Sequence, residues 1–389
     1  MARASLLANA TSTELWIGGS TMAKRKYFLD WLRVLAFAAL IIFHVGMLYV
    51  SWDYNLKSPR LYPGLEPWMT ALSPWRLALM FVISGVASRF LIERLGPGAF
   101  ARDRLLRLIP VILTGMYVVI PPQTYVALAV RGIVQTDFPT FWWTQYLRAN
   151  QTLVAPLGMT LPTWDHLWFL VYLLVYTVLA AGIASVGRRV IRREIVIPVW
   201  ALLLAPPVWL VCTNLLILTA APITHALVND WGGHLKWGGL FLSGFLAARQ
   251  DQFWDVLQKH RGTLLVVATG LFLVQTQTND PVWSAVSGLY AWAAICTLIG
   301  FAKYWLDQPS FVLSHLNEAV LPIYVLHQPI LLIAAFWLFP MGLPVQVEAA
   351  ILIALTGFGA LMIYELLIRP ITVLRFLFGL KAKASVVAA

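Results

Sequence analysis

Lys26-Tyr-Phe-Leu-Asp-Trp-Leu-Arg-Val-Leu-Ala-Phe-Ala-Ala-Leu-Ile-Ile-Phe-His-Val-Gly-Met-Leu-Tyr-Val50 decides the fold of this chain. The stretch is long and apolar enough to cross a bilayer as one helix, which takes about 20 residues. It nevertheless carries three ionisable side chains, Asp30, Arg33 and His44. At 100° per residue, positions 30, 33, 37, 40 or 41, and 44 fall on one stripe of the helix. Arg33 and His44 stand about 16 Å apart along the axis, at 1.5 Å per residue. Each charge is costly in hydrocarbon, so the stripe is expected to face a bundle interior or a polar cavity. The plainer alternative is that Asp30 and Arg33 snorkel to one interface while His44 sits at the other. Their common stripe argues against it.

Composition extends the reading to the whole chain. Of 389 residues, 60% are hydrophobic and 12% charged, against about 25% charged in soluble proteins. The protein is an integral membrane protein, and the bilayer is its first partner. Its 18 Trp and 13 Tyr suit aromatic belts at the interfaces. The net charge of +11 is no nucleic-acid footprint, because Lys and Arg cluster between alternate apolar segments. Cys212 and Cys296 lie inside apolar runs and read as small core residues, without disulfide or metal-ligand spacing. Residues 1–21 lack the apolar core of a cleavable signal. Met22-Ala-Lys-Arg-Lys looks like an alternative translation start. The expected organisation is a disordered tail over 1–23, a transmembrane domain over 24–375 and a cytoplasmic tail over 376–389.

The predicted class is all-α and polytopic, with about ten transmembrane helices near 27–50, 74–93, 105–125, 165–186, 196–219, 235–249, 262–278, 282–303, 319–339 and 346–369. Pro206-Pro207 in the fifth and the glycines of the short sixth predict kinked or partly re-entrant segments. Basic clusters precede span one (Lys24, Arg25, Lys26) and follow spans two, four, six and ten (Arg89, Arg94, Arg102, Arg104, Arg107; Arg188, Arg189, Arg192, Arg193; Arg249, Lys259, Arg261; Arg369, Arg375, Lys381, Lys383). The other connections are poorer in basic residues, so both termini are expected in the cytoplasm. His44, Arg76, Asp165 and His166 then lie toward the outer face. Arg33, Asn317, Glu318 and Glu365 lie toward the inner face, with His327 near mid-depth.

These positions carry the candidate chemistry. Histidine is the side chain best suited to take a hydroxyl proton near neutral pH. His44 can act as base toward an acceptor entering from outside, with Asp30 pairing Arg33 one turn away. Arg33, with Arg102, Arg104 and Arg107, can hold phosphates at the inner face, although topology alone explains much of that cluster. Arg76 and Glu365 are further candidates for substrate contact. Trp164-Asp165-His166-Leu-Trp168 opens a helix. Asp165 either caps it or joins the site, and His166 and Trp168 can meet substrate. His327 is either a satisfied buried histidine or a site residue. Ser84-Gly85 reads as a packing notch rather than a nucleophile. The aromatic loops 51–73 and 126–164 suit interfacial packing or sugar stacking. The sequence contains no phosphate-binding glycine loop, no Cys/His metal cluster, no nucleophile elbow and no internal repeat of a transporter. A transporter or flippase for a glycan, with these charges as its relay, is the alternative reading.

Arg33 and His44 match an Arg-x10-His signature, and the chain resembles membrane acyltransferase family 3 at this and several further places. They are Tyr27-Phe-Leu-Asp30, Phe81-Val-Ile-Ser-Gly85, His166-Leu-Trp-Phe-Leu170, Ile323-Tyr-Val-Leu-His327, and Ile363-Tyr-Glu-Leu366 with Arg369. The likeness runs from about residue 24 to 383 and is greatest to the branch that succinylates osmoregulated periplasmic glucans. It implies a multi-pass enzyme of the bacterial inner membrane with no permanently bound cofactor. Acyl-CoA, as acetyl-CoA or succinyl-CoA, would be the donor substrate, and a periplasmic glycan hydroxyl the acceptor. The family's essential histidine and arginine would be His44 and Arg33. Asp165-His166-Leu-Trp-Phe stands where many O-antigen acetyltransferases of the family carry a Ser-x-Glu-Glu-x-Phe-like segment. This departure favours the glucan branch and leaves open any role given to that glutamate elsewhere in the family.

Overall fold

The computed structural model describes residues 25–155, 160–187 and 196–381. The predicted tail over 1–23, the arginines at 188, 189, 192 and 193, and Lys383 lie outside the described residues. The helices are α1 Tyr27–Met47, α2 Glu66–Leu95, α3 Pro97–Thr114, α4 Pro121–Val130, α5 Trp168–Val186 and α6 Val199–Thr219. They continue as α7 Trp231–Ala247, α8 Asp251–Lys259, α9 Arg261–Thr276, α10 Val282–Leu306, α11 Phe311–Leu338, α12 Val345–Ile363 and α13 Thr372–Leu377. A wide turn over Gly115–Val119 joins α3 to α4, and another over Tyr364–Ile368 extends α12. Among the described residues there is no strand.

Among the described residues, eight helical segments are long and apolar enough to cross a membrane. Of the ten predicted, the two that fall short are α7, with 17 residues, and α9, with 16. At 1.5 Å per residue they reach about 25 Å. The second predicted span is also longer than its apolar run, because α2 starts at Glu66 with a proline in its first turn, where the missing N–H costs nothing. Arg76 therefore lies ten residues inside α2 instead of opening it.

Neither segment is interrupted, so the partly re-entrant form does not occur. α6 runs unbroken through Pro206 and Pro207, and α7 is one helix whose glycines serve packing. A Cβ on Gly244 would collide with the Val82 carbonyl of α2, and one on Gly85 with the Phe241 carbonyl of α7. The two backbones touch where side chains are absent, as the Ser84-Gly85 notch predicts. Cys296 is buried as expected, but Cys212 is exposed on α6. Phe378 and Leu380 are buried in the main core, so packing continues past residue 375 to the end of the described chain.

α1 sits at the centre, against α2, α10, α11 and α12. α1 and α11 run parallel, since Arg33 meets Asn317 at one end and His44 meets His327 at the other. Lys57 closes the His44 end of α1 by donating to the carbonyls of Met47 (2.6 Å), Trp52 (2.9 Å) and Val50. A cation there also complements the helix dipole. Arg60 and Tyr49 bind the fully buried Glu348 of α12 at 3.1 and 2.9 Å, which pins the 51–62 loop over this end.

Candidate active site

At the His44 end, two imidazoles meet. His44 Nδ1 lies 2.9 Å from His327 Nε2, with the rings nearly parallel, 11° apart, and their centroids 5.0 Å apart. His327 Nδ1 lies 2.6 Å from the Tyr324 carbonyl oxygen. A carbonyl only accepts, so this nitrogen carries the hydrogen and the neutral His327 ring presents its lone pair at Nε2. His44 Nδ1 then donates to that lone pair, and the basic lone pair of His44 resides on Nε2. His44 is half-buried, and His327 is buried.

A second layer packs on this pair. His166 Nε2 donates to the Val325 carbonyl at 3.1 Å, its ring is edge-on to His327, and its Nδ1 is buried with no partner. The Asp165 carboxylate does not cap α5. It accepts from Asn55 (2.9 Å), Gln123 (2.8 Å) and Gln328 (3.2 Å), from a left-handed backbone with φ +35°. These three amides and Tyr54, whose ring centroid is 5.9 Å from that of His44, escaped the sequence reading. The Tyr54 hydroxyl is buried without a partner, and burial, reinforced by Asp165, keeps it protonated well above its ordinary pKa. Arg76 is buried at 4% exposure and lies over the Phe43 ring, 3.6 Å from its centroid.

At the other end, a cavity of about 510 Å³ opens between α1, α2, α3, α5 and α11. Arg33, Arg94, Arg104, Arg107, Arg375 and Lys381 line its mouth, with Asp103 and Glu318. Arg33 Nε donates to Asn317 at 3.0 Å, and Asp30 pairs Arg33 at 3.4 Å while holding Arg25 at 2.8 Å. The i, i+3 pairing expected of Asp30 and Arg33 is present. Phe37, Met80, Ile83 and Phe169 belong to the same lining. The Tyr324 ring then stands 5.2 Å from Phe37 and 5.7 Å from His327. One aromatic layer thus separates the cavity from the histidines.

Three predicted residues lie elsewhere. Arg102 is exposed and does not line the cavity, because two residues turn a helix by 200° and place it opposite Arg104. Glu365 is engaged by His315 (2.5 Å) and Arg369 (2.7 Å) near the Arg33 end. Trp168 stacks on His225, with centroids 4.1 Å apart, in a separate aromatic group with Trp237 and Phe81.

Comparison with known proteins adds one family and one set of relatives. The family model described as "Acyltransferase domain" matches residues 26–365. Glucans biosynthesis protein C from Escherichia coli strain SMS-3-5 / SECEC is 28% identical over 163 residues, 41% of this chain and 39% of the relative. The proteins of the same description from E. coli O1:K1 / APEC and O139:H28 (strain E24377A / ETEC) match to the same extent. The matched stretch thus spans well under half the length of these relatives. No solved structure matches.

Proposed function

This multi-pass membrane chain belongs to the acyltransferase domain family, and from that premise we propose that it carries an acyl group from acyl-CoA across its bundle to a glycan hydroxyl. The observation that supports this is the placement of two polar sites at opposite ends of α1. An arginine-lined cavity begins at Arg33 and ends one aromatic layer from a histidine pair whose free lone pair is on His44.

In this reading Arg33, Arg104 and Arg107 hold the phosphates of acetyl-CoA or succinyl-CoA, for which bidentate guanidinium geometry is suited. The pantetheine arm follows Phe37, Met80 and Ile83 toward the histidines. The acceptor hydroxyl enters from the His44 end, and His44 Nε2 takes its proton as the oxygen attacks the thioester carbonyl. His327 holds the imidazole of His44 in that tautomer through the Tyr324 carbonyl. Asp30 fixes Arg33, and Asp165, with its amides, secures the loop beside the base. The clusters of Lys and Arg support a cytoplasmic Arg33 end and cytoplasmic termini, and the proposed location is the bacterial inner membrane. The name of the E. coli relatives, glucans biosynthesis protein C, favours a glucan as the acceptor.

The test is transfer of radiolabel from acetyl-CoA and succinyl-CoA to a periplasmic glucan fraction in reconstituted vesicles. Label on the glycan that disappears with His44→Ala is expected. Folded protein that labels nothing with either donor, or labels equally without His44, overturns the reading and returns weight to glycan transport.

A further inference from the structure

We propose that Arg76 is a catalytic anion-binding residue, whose guanidinium receives the negatively charged oxygen of the acyl group during transfer. This rests on the acyltransferase reading above and adds a site to it. Arg76 carries a buried charge that no protein group among the described residues balances. Arg76 cannot shed its proton, and a buried cation is normally paired or hydrogen-bonded. Its Nε and Nη1 are nevertheless buried with no partner. Arg76 belongs to none of the ion pairs among the described residues.

Its surroundings say where the missing acceptor belongs. One face of the guanidinium is covered by Phe43 at 3.6 Å, so its N–H groups point outward in the plane of the group. Phe43 immediately precedes His44, and their ring centroids are 6.0 Å apart. Arg76 is within electrostatic reach of both His44 and His327. A third unused donor, the Tyr54 hydroxyl, is also buried, on a ring whose centroid is 5.9 Å from that of His44. The nearby carboxylate of Asp165 is already taken by Asn55, Gln123 and Gln328. Buried donors without protein acceptors beside a base fit one kind of group, an oxygen anion of the acyl donor.

The chemistry balances. The acceptor oxygen bonds to the thioester carbon, its proton passes to His44 Nε2, and the carbonyl π pair moves onto oxygen. That oxyanion meets the Arg76 N–H groups. When the pair returns, the carbon–sulfur bond breaks and the coenzyme A thiolate takes the proton from His44. The same guanidinium could alternatively hold the distal carboxylate of a dicarboxylic acyl group, and the two sources are separable.

The experiment is single-turnover transfer by full-length reconstituted protein, wild type against Arg76→Gln and Arg76→Lys, with acetyl-CoA and succinyl-CoA at saturation. Removing one preorganised oxyanion donor costs about 10²–10³-fold in rate. A loss of that size with both donors, at unchanged coenzyme A affinity and with partial rescue by lysine, supports the carbonyl oxygen. A loss confined to succinyl-CoA supports the distal carboxylate. Arg76→Gln turning over within threefold of wild type with both donors overturns the proposal while leaving the acyltransferase reading intact. So does loss in both variants accompanied by a lowered melting temperature and lost coenzyme A affinity, which assigns Arg76 to the scaffold. No transfer by folded wild type fails the acyltransferase reading and this proposal with it.

Discussion

His44 and His327 stand ring against ring, 2.9 Å between nitrogens, with the far nitrogen of His327 fixed by the Tyr324 carbonyl. A carbonyl in this position does what a carboxylate does for many catalytic histidines, but without adding a charge to the bundle interior. His44→Ala should lower transfer by about 10²–10⁴-fold, the usual worth of a general base. His327→Leu should cost about 10–100-fold in kcat, as loss of an orienting partner does, with little change in KM. His327→Gln keeps an acceptor oxygen and should lose less. Steady-state kinetics on the three variants checks the order, and a His327→Leu enzyme as active as wild type would refute the relay.

The cavity arginines should separate by helix face. Arg33→Gln, Arg104→Gln and Arg107→Gln each remove a charge-assisted contact worth about 1.5–3 kcal/mol. Affinity for coenzyme A should fall by about 10–100-fold. Arg102→Gln, on the opposite face, should leave it unchanged. Calorimetric titration of coenzyme A against the four detergent-solubilised variants makes the comparison.

Asp165→Asn should damage stability before chemistry. The carboxylate gathers three amide N–H donors, and an asparagine there turns one of its oxygens into a fourth donor. Leaving such groups unpaired costs about 1–3 kcal/mol. A lower melting temperature is expected, with faster proteolysis in the 51–62 loop. A variant as stable as wild type would contradict the bond pattern.

Asp230 offers a pH test outside the apolar spans. Burial pushes its carboxyl up, but the Tyr172 hydroxyl and the amides of Thr224, Gly233 and His225 outweigh this and hold it below its ordinary value of 3.8. A carboxyl lowered on folding stabilises the protein above its unfolded pKa, and the contribution is lost as pH falls through the folded value. The melting-temperature gap between wild type and Asp230→Asn should therefore be full at pH 6 and shrink below the ordinary carboxylate range. A gap that widens on acidification would reverse the assignment.

What could be read from sequence follows the range of the interactions. The membrane class, the α1 stripe and the Asp30–Arg33 pair are local, set by apolar length and by a spacing of three residues. The separation of Arg102 from Arg104 is equally local, and helical periodicity contains it, though positive-inside clustering masks it. The His44–His327 contact joins residues 283 apart in sequence. Nothing in either helix alone states which neighbour it has or at what register. Asp165 resembled a helix cap because a carboxylate at a helix start usually is one, and its partners Asn55 and Gln123 look like ordinary turn and helix-start residues. Tyr54 was lost among interfacial aromatics for the same reason. The re-entrant form allowed by Pro206-Pro207 and by the glycines of α7 does not occur, because neighbouring helices supply packing that local propensity does not contain.

The parallel pairing of α1 with α11 has a consequence for biosynthesis. The two imidazoles are contributed by the first and the penultimate long helices, so a ribosome must complete more than four-fifths of the polypeptide before they can meet. Until then the histidine pair does not exist, and most of the chain is inserted before it can form. The two halves are therefore natural fragments for complementation. Co-expressed pieces divided between α5 and α6 should regain transfer only when both are present in the same membrane.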